Sequence, residues 1–338
     1  MSLRGAIIGL GNIAVRGHVP ALLSPSVARR ASVIAVADVV EENRRKVPGL
    51  FPGAAVYADI GQLLDAEKPG FVDICTPPHT HRGILELCAA RGIHAVCEKP
   101  LMESYAAVEE LAGVISRAGI VFVPCHQYKY SPLWKGIRDV LKSGRLGRVT
   151  LAQFNVYRMQ ADTGTAGWNP AWRINRQQSG GGILADTGAH YFYLAQYFFG
   201  LPEKIFTLLR TLKHDDYTVE DTALVTLEYS RHLMQVNLTW AAGQRANSVA
   251  IAGTGGNLLY DGSRMTVSTP EGTAEIPMPD VSDKNQYISW YEALFTEFFD
   301  RIEAGNRSTD LLDEARHVMK MLHLSSVSSG QGSAVVYR

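Results

Sequence analysis

The chain predicts an α/β fold: a doubly wound parallel sheet at the N-terminus, followed by an α+β domain with an open, largely antiparallel sheet. Three observations carry this reading. Short β-branched runs alternate with longer helical patterns over the first third, the rhythm breaks after about Pro124, and from Lys204 several strand-like runs follow one another with only turn residues between them. Alternation implies parallel βαβ units, whereas consecutive strands imply antiparallel pairing. At 338 residues the chain also exceeds the size at which one hydrophobic core keeps growing, so two domains are expected, 1–124 and 125–338.

In the first domain RGAIIGLG, SVIAVAD, FVDICTPP, HAVCEKP and IVFVPCHQ read as strands. Amphipathic segments such as THRGILELCAARG separate them, and Gly92 and Gly119 fall where helices should end. In the second domain SPLWKGIRDVLKSGRLG predicts a helix, VTLAQFNVYRM a strand, QADTGTAGWNPAWRINRQQSGGG a loop and ILADTGAHYFYLAQYFFG a helix. KIFTLLRTL, TALVTLEYS, LMQVNLTWA, SVAIAGTGG and RMTVST then predict the antiparallel strands. A helix over YISWYEALFTEFFDRIEAG and a shorter one over DLLDEARHVMKMLHLSS close the pattern.

Hydrophobic residues make up 46% and charged residues 20%, a globular composition. Lys plus Arg number 33 and Asp plus Glu 33, so no strong field draws the chain to nucleic acid or to an anionic membrane, and a small molecule is the expected partner. MSLRGAIIGLG enters a strand-like run without a basic region and cleavage site, and no apolar run reaches membrane-spanning length; a cytoplasmic location is expected. Cys75, Cys88, Cys97 and Cys125 show neither a CxxC pair nor zinc-ligand spacing, so they read as buried free thiols.

GLGNIA, from Gly9 to Ala14, follows a hydrophobic run and precedes a helical pattern, the context of a GxGxx(G/A) dinucleotide fingerprint. Gly9 allows the tight turn, Gly11 lets the backbone approach a pyrophosphate, and Ala14 is small enough for helix and strand to pack closely. SVIAVAD ends on Asp38, where a carboxylate can accept from ribose hydroxyls and repel a 2′-phosphate, which favours NAD over NADP. An Asp that merely caps the EENRRKVPG helix is the alternative, and Arg44 or Arg45 within reach of a phosphate leaves NADP open.

GLGNIA, AVAD, CTPPHTH (Cys75 to His81), GIHAVCEKPL (Gly92 to Leu101) and GGGILADTGAH (Gly180 to His190), in this order, resemble the Gfo/Idh/MocA oxidoreductases over nearly the whole chain. The resemblance implies an N-terminal Rossmann domain and a C-terminal domain whose open sheet forms a homodimer or homotetramer interface. It also implies cofactor contacts at Gly9, Gly11, Asn12, Ile13, Asp38, Thr76, Pro77, His81, Glu98 and Lys99. Lys99, Asp186 and His190 match the family's catalytic group, and Lys129 stands where many relatives carry Arg. Trp172 and Arg173, with Trp168, suit a polyhydroxylated ring before the glycine run, with structural tryptophans as the alternative.

The residues support this transfer. Lys99 lies just past a parallel strand, at the carboxyl edge where ligands bind. Asp186 and His190 are four apart, so a helix presents both on one face, and the preceding glycines allow close approach to a ligand. His190, with an ordinary pKa near ~6.5, suits general base work at neutral pH, while Lys99 can stabilise alkoxide charge, or the two can exchange these duties. His79 and His81 lack a carboxylate or cysteine partner, so no metal is expected. The expected activity is an NAD(P)-dependent dehydrogenase acting on a sugar, cyclic polyol or related compound; the alternatives are an NAD-assisted glycosidase or lyase and a non-catalytic sensor.

Overall fold

The computed structural model describes residues 2–164, 168–281, 283 and 286–338. Six parallel strands form the first sheet: β1 (Leu3–Ile8), β2 (Ala31–Ala37), β3 (Ala55–Tyr57), β4 (Phe71–Ile74), β5 (His94–Cys97) and β6 (Phe122–Pro124). Their order is β3-β2-β1-β4-β5-β6. Successive residues Ala6, Ile7 and Ile8, and likewise Ala35, Val36 and Ala37, are buried, so both faces of the sheet are covered. The strand order reverses between β1 and β4, and their carboxyl ends open a crevice there. β3 had no counterpart in the sequence reading, since three residues are too few to show a period.

The second sheet has nine strands: β7 (Val149–Tyr157), β8 (Lys204–Arg210), β9 (Thr222–Glu228), β10 (Leu233–Thr239), β11 (Ala246–Gly253), β12 (Asn257–Tyr260), β13 (Arg264–Thr269), β14 (Gly272–Pro277) and β15 (Val335–Val336). They lie in the order β14-β13-β12-β11-β7-β10-β9-β8-β15, antiparallel except for the parallel pair β7 and β10. Side chains alternate between faces: Phe154, Val225, Val236 and Ile251 are buried, while Leu151, Leu224 and Leu233 are exposed. The helices Pro132–Lys142 and Ala189–Phe199 cover the inner face through Trp134 and Tyr191, whose rings meet Phe154 at 5.6 and 6.0 Å.

The final helix, Asp310–Gln331, is longer than Tyr287–Glu303, 22 residues against 17, reversing the expected lengths. The sequence reading takes it to Ser326, short of its end. There Ser328 Oγ accepts from Thr207 N at 3.0 Å and donates to Ser333 O at 2.7 Å, so small hydroxyls dock the helix closely on β8.

The helix Tyr287–Glu303 returns to the first sheet. The Phe71 ring meets Phe298 and Phe299 at 5.8 and 5.3 Å, and Arg30 pairs with Asp300 and Glu303 at 2.8 and 2.9 Å. Tyr291 of this helix lies so close to Gly17 that a Cβ there would come within 2.6 Å of its ring. Among the described residues, no helix is long and apolar enough to cross a membrane.

Candidate active site

The glycine turn follows β1. Gly9 has φ +88°, and a Cβ there would stand 2.8 Å from Thr76 Cγ2 and 3.0 Å from the Cys75 carbonyl, so glycine is required by both conformation and space. Gly11, Asn12 and Ile13 head the helical turns Ala14–His18 and Val19–Leu23. Asp38, just past β2, accepts from Leu10 N (2.6 Å) and Asn43 Nδ2 (3.1 Å) on Oδ2, and from Val40 N (2.7 Å) on Oδ1. A carboxylate offers about four acceptor sites, so roughly one remains for a ligand. Arg44 donates from Nη1 to the carbonyls of Asp38 (2.7 Å) and Val39 (2.9 Å).

Glu98 and Lys99 follow β5 and face opposite ways. Glu98 Oε1 lies 2.9 Å from His18 Nε2 and accepts from Tyr291 Oη at 2.5 Å, while Oε2 accepts from Lys99 N at 3.0 Å. The other ring nitrogen of His18 lies 3.0 Å from both carboxylate oxygens of Asp73. Burial alone would lower the His18 pKa, but the Asp73 carboxylate raises it well above 6.5. Burial alone would raise the Glu98 carboxyl, yet its bond to His18, the charges of His18 and Lys99, and the Tyr291 hydroxyl bring it down to about 2. An imidazolium thus sits buried between two carboxylates.

Lys99 Nζ donates to the Asp186 carbonyl at 2.8 Å and stands 3.9 Å from Asp186 Oδ1. Arg173 Nε donates to the same Oδ1 at 3.3 Å and its guanidinium lies over Trp172. Asp186 falls in a π-helical turn, Leu184–Gly188, that continues into Ala189–Phe199. His190 stacks on Tyr128 at 4.0 Å and 7°, and among the described residues its buried Nδ1 has no hydrogen-bond partner. Burial, the Lys99 charge and His126 hold the His190 pKa well below 6.5, lower than its sequence suggests, so the ring is neutral at neutral pH. His126, stacked on Tyr193, is itself held down to about 3 by burial and the charges of Lys129 and Lys99.

The glycine run works differently from the expectation that it admits a ligand. A Cβ on Gly182 would lie 1.9 Å from the Glu220 carbonyl oxygen, and one on Gly180 (φ +78°) 2.6 Å from the Glu103 carbonyl oxygen. The glycines let chain segments approach each other. Glu220 Oε1 accepts from the amides of Gly182 (2.8 Å) and Leu184 (3.3 Å), placing a carboxylate at the start of the helix that bears Asp186 and His190.

One cavity of about 980 Å³ is lined by Gly9, Gly11, Asn12, Ile13, Asp38, Thr76, Pro77, Glu98, Lys99, Trp172, Arg173, Asp186 and His190. Two expected members lie elsewhere. His81 is fully buried, its ring nitrogens 2.7 Å from the Thr76 carbonyl and 2.9 Å from that of Leu101, so it braces the loop behind the cavity and does not reach a cofactor. Lys129 turns away to pair with Glu297 at 2.9 Å, over the Tyr130 ring, because that buried-side carboxylate competes for it. Sequence reasoning missed Tyr128, Tyr287, Arg158 and Arg245, which also line the cavity. Tyr128 stands next to Lys129, in a segment read for that lysine alone; the other three belong to no motif, and only their proximity in the fold reveals them.

Two family models match the chain. Residues 3–126 match an oxidoreductase family with an NAD-binding Rossmann fold, and residues 134–259 match the GFO/IDH/MocA C-terminal domain, together most of the sequence. The chain belongs to the Gfo/Idh/MocA oxidoreductases. Among relatives, a D-apiose dehydrogenase of Paraburkholderia graminis is 28% identical over 203 residues, 58% of this chain and 50% of that protein. A D-glucoside 3-dehydrogenase of Escherichia coli is 25% identical over 242 residues, 67% of each. The chain thus spans half to two thirds of the length of these relatives. An oxidoreductase from Agrobacterium radiobacter, solved with NAD+, L-tartaric acid and magnesium, superposes with TM-score 0.86 at 21% identity, covering 99% of this chain and 98% of that one.

In this Gfo/Idh/MocA oxidoreductase the residues present fit NAD. Gly11, Asn12 and Ile13 stand where a helix start favours an anion, and Asp38 keeps an acceptor at the end of β2, on the same wall. The same cavity gathers Lys99, Asp186 and His190, whose ring is stacked on Tyr128. It therefore offers a cation, a carboxylate and a neutral base at one place.

Proposed function

We propose that this protein is an NAD-dependent dehydrogenase that oxidises, or reversibly reduces, a hydroxyl-bearing carbon of a sugar, cyclic polyol or related compound. The observation that carries it is the shared cavity, which Gly9, Gly11 and Asp38 line together with Lys99, Asp186 and His190. Bound NAD would accept hydride from the carbinol carbon. His190, neutral and buried, takes the hydroxyl proton; Lys99 holds the oxygen and stabilises its developing charge. Asp186, shared by Lys99 and Arg173, orients both cations. The sugar dehydrogenases among the relatives support the substrate class.

Residues 1–124 form the cofactor-binding domain in this reading and residues 125–338 the substrate-binding and oligomerisation domain. The exposed Leu224, Leu233 and Leu259 on the outer face of the second sheet support a homodimer or homotetramer built there, which sedimentation would detect. Four buried free cysteines support a reducing, cytoplasmic setting. Asp38 supports tighter binding of NAD than of NADP, which calorimetry would read directly; equal or reversed affinities would remove that preference. A panel of polyols and sugars followed by NADH absorbance tests the activity. A protein that binds NAD yet reduces it with no member of the panel refutes the dehydrogenase.

A further inference from the structure

The cavity brings basic and acidic side chains together, and one guanidinium among them is held by neutral acceptors. Lys99 and Arg173 share the single carboxylate of Asp186, at 3.9 and 3.3 Å. Arg158 and Arg245 line the same cavity. Arg158, just past β7, donates from Nη1 to the carbonyls of Tyr157 (2.7 Å) and Ala246 (3.2 Å), and from Nη2 to Asn247 Oδ1 (2.9 Å). Asn247 is buried and donates in turn to Asp280 Oδ1 at 3.2 Å, which fixes the amide that fixes the guanidinium. Among the described residues no carboxylate pairs directly with Arg158. The acceptors it does meet, two carbonyls and an amide oxygen, are neutral.

Arg158 also stands near the chemistry. It and Arg245 oppose, by their charge, the raised pKa of the Tyr128 and Tyr287 hydroxyls, which lie 3.3 Å apart, and Tyr128 stacks on His190. A guanidinium has five N–H groups, and the three bonds above use three. Among the described residues two remain, enough for a paired grip on one carboxylate.

We infer that the substrate is an acid: a hydroxylated carboxylate, such as a sugar acid, held by Arg158 at one end while its reacting hydroxyl meets Lys99 and His190. This rests on the dehydrogenase reading and narrows it to anionic members of the class. A carboxylate brought by the substrate fills the N–H groups that Arg158 does not spend on Tyr157, Ala246 and Asn247. A neutral polyol would offer this guanidinium only uncharged hydroxyl acceptors, without the paired, charge-assisted grip.

The test compares matched probes on the NAD-loaded protein by calorimetry: D-gluconate against D-sorbitol, and D-glucuronate against D-glucose. A paired, charge-assisted contact predicts at least about tenfold tighter binding of each acid, weakened in about 0.5 M salt. Arg158→Gln should remove most of that advantage, and Arg158→Lys should restore only part of it. A melting transition close to that of the parent shows that each variant is folded. Equal or weaker binding of the acids, tighter binding of sorbitol 6-phosphate than of gluconate, or an acid preference untouched in folded Arg158→Gln overturns the inference. NADH absorbance separates the two claims. Neutral polyols turned over without any acid preference leave the dehydrogenase standing and remove the acid site; acids bound through Arg158 with no NADH from any probe do the reverse.

Discussion

Replacing His18 with leucine tests whether the buried imidazolium holds the Glu98–Lys99 segment in place. The substitution keeps an apolar body of similar size and removes both ring contacts, to Asp73 at 3.0 Å and to Glu98 at 2.9 Å. Removing one partner from a buried charge cluster costs about 3–5 kcal/mol, because the remaining charge stays buried without compensation. In the parent, the His18 pKa is raised above 6.5 on folding, so its contribution is full below pH 6.5 and is lost as pH rises through the raised value. The Glu98 pKa is lowered from 4.5 to about 2, so its contribution is present above pH 4.5 and is lost as pH falls toward 2. The cluster thus stabilises the fold most between those two ordinary values. In His18→Leu the burial that opposes ionisation of Glu98 prevails, its folded pKa moves up, and stability falls as pH rises through the carboxylate range. Urea unfolding of parent and variant at several pH values should show a gap that widens from about pH 4 to about pH 6.5. A gap below about 1 kcal/mol, or one that stays constant over that range, would refute the imidazolium assignment.

Three further outcomes are expected. His190→Asn should reduce turnover by roughly 10²–10⁴ while leaving NAD affinity nearly intact, since its ring serves the substrate end; steady-state rates and cofactor titration check this. The acid limb of the turnover profile should lie well below pH 6.5, because burial, Lys99 and His126 all disfavour the protonated His190; a limb at or above pH 6.5 would show another group in control. Gly182→Ala should destabilise by about 1–3 kcal/mol or more, since its Cβ would overlap the Glu220 carbonyl oxygen, whereas Gly330→Ala, with open space in a helix, should stabilise by up to about 1 kcal/mol. Chemical denaturation of the two variants reads both signs.

The alternating half of the fold was legible as parallel βαβ units because strands and their helices leave long, distinct periods; the strand order came only from the structure. The edge strands β3 and β14 were not singled out, being short or exposed, so burial imposes little pattern on them; β12, inside the second sheet, alternates but over only four residues. The helix Tyr287–Glu303 was read correctly as a helix. Its partner was not readable: Tyr291, Phe295, Phe298 and Phe299 declare that they are buried, but composition does not say that the surface covering them comes from the first sheet, more than 200 positions away.

The site divides along the same line. Motifs placed Lys99, Asp186 and His190 at one cavity because each follows a strand end or helix start whose geometry the local sequence dictates. The same motifs misplaced His81 and Lys129, since adjacency in a loop does not decide which way a side chain turns when a carbonyl or carboxylate competes for it. His18 gave no signal at all. A lone histidine in GHVPAL acquires its charge only when the fold brings Asp73 from β4 and Glu98 from the end of β5 to its two nitrogens. That convergence also explains why Glu98 and Lys99 are adjacent: the carboxylate reaches back into the first sheet, the ammonium reaches forward 2.8 Å to the Asp186 carbonyl, and one peptide unit ties the cofactor-bearing core to the helix that carries His190. Asn12, donating to the Thr163 carbonyl at 3.2 Å, makes a second tie across the cavity mouth. Loosening His18 should therefore be felt at Lys99 before any residue that touches substrate has been changed.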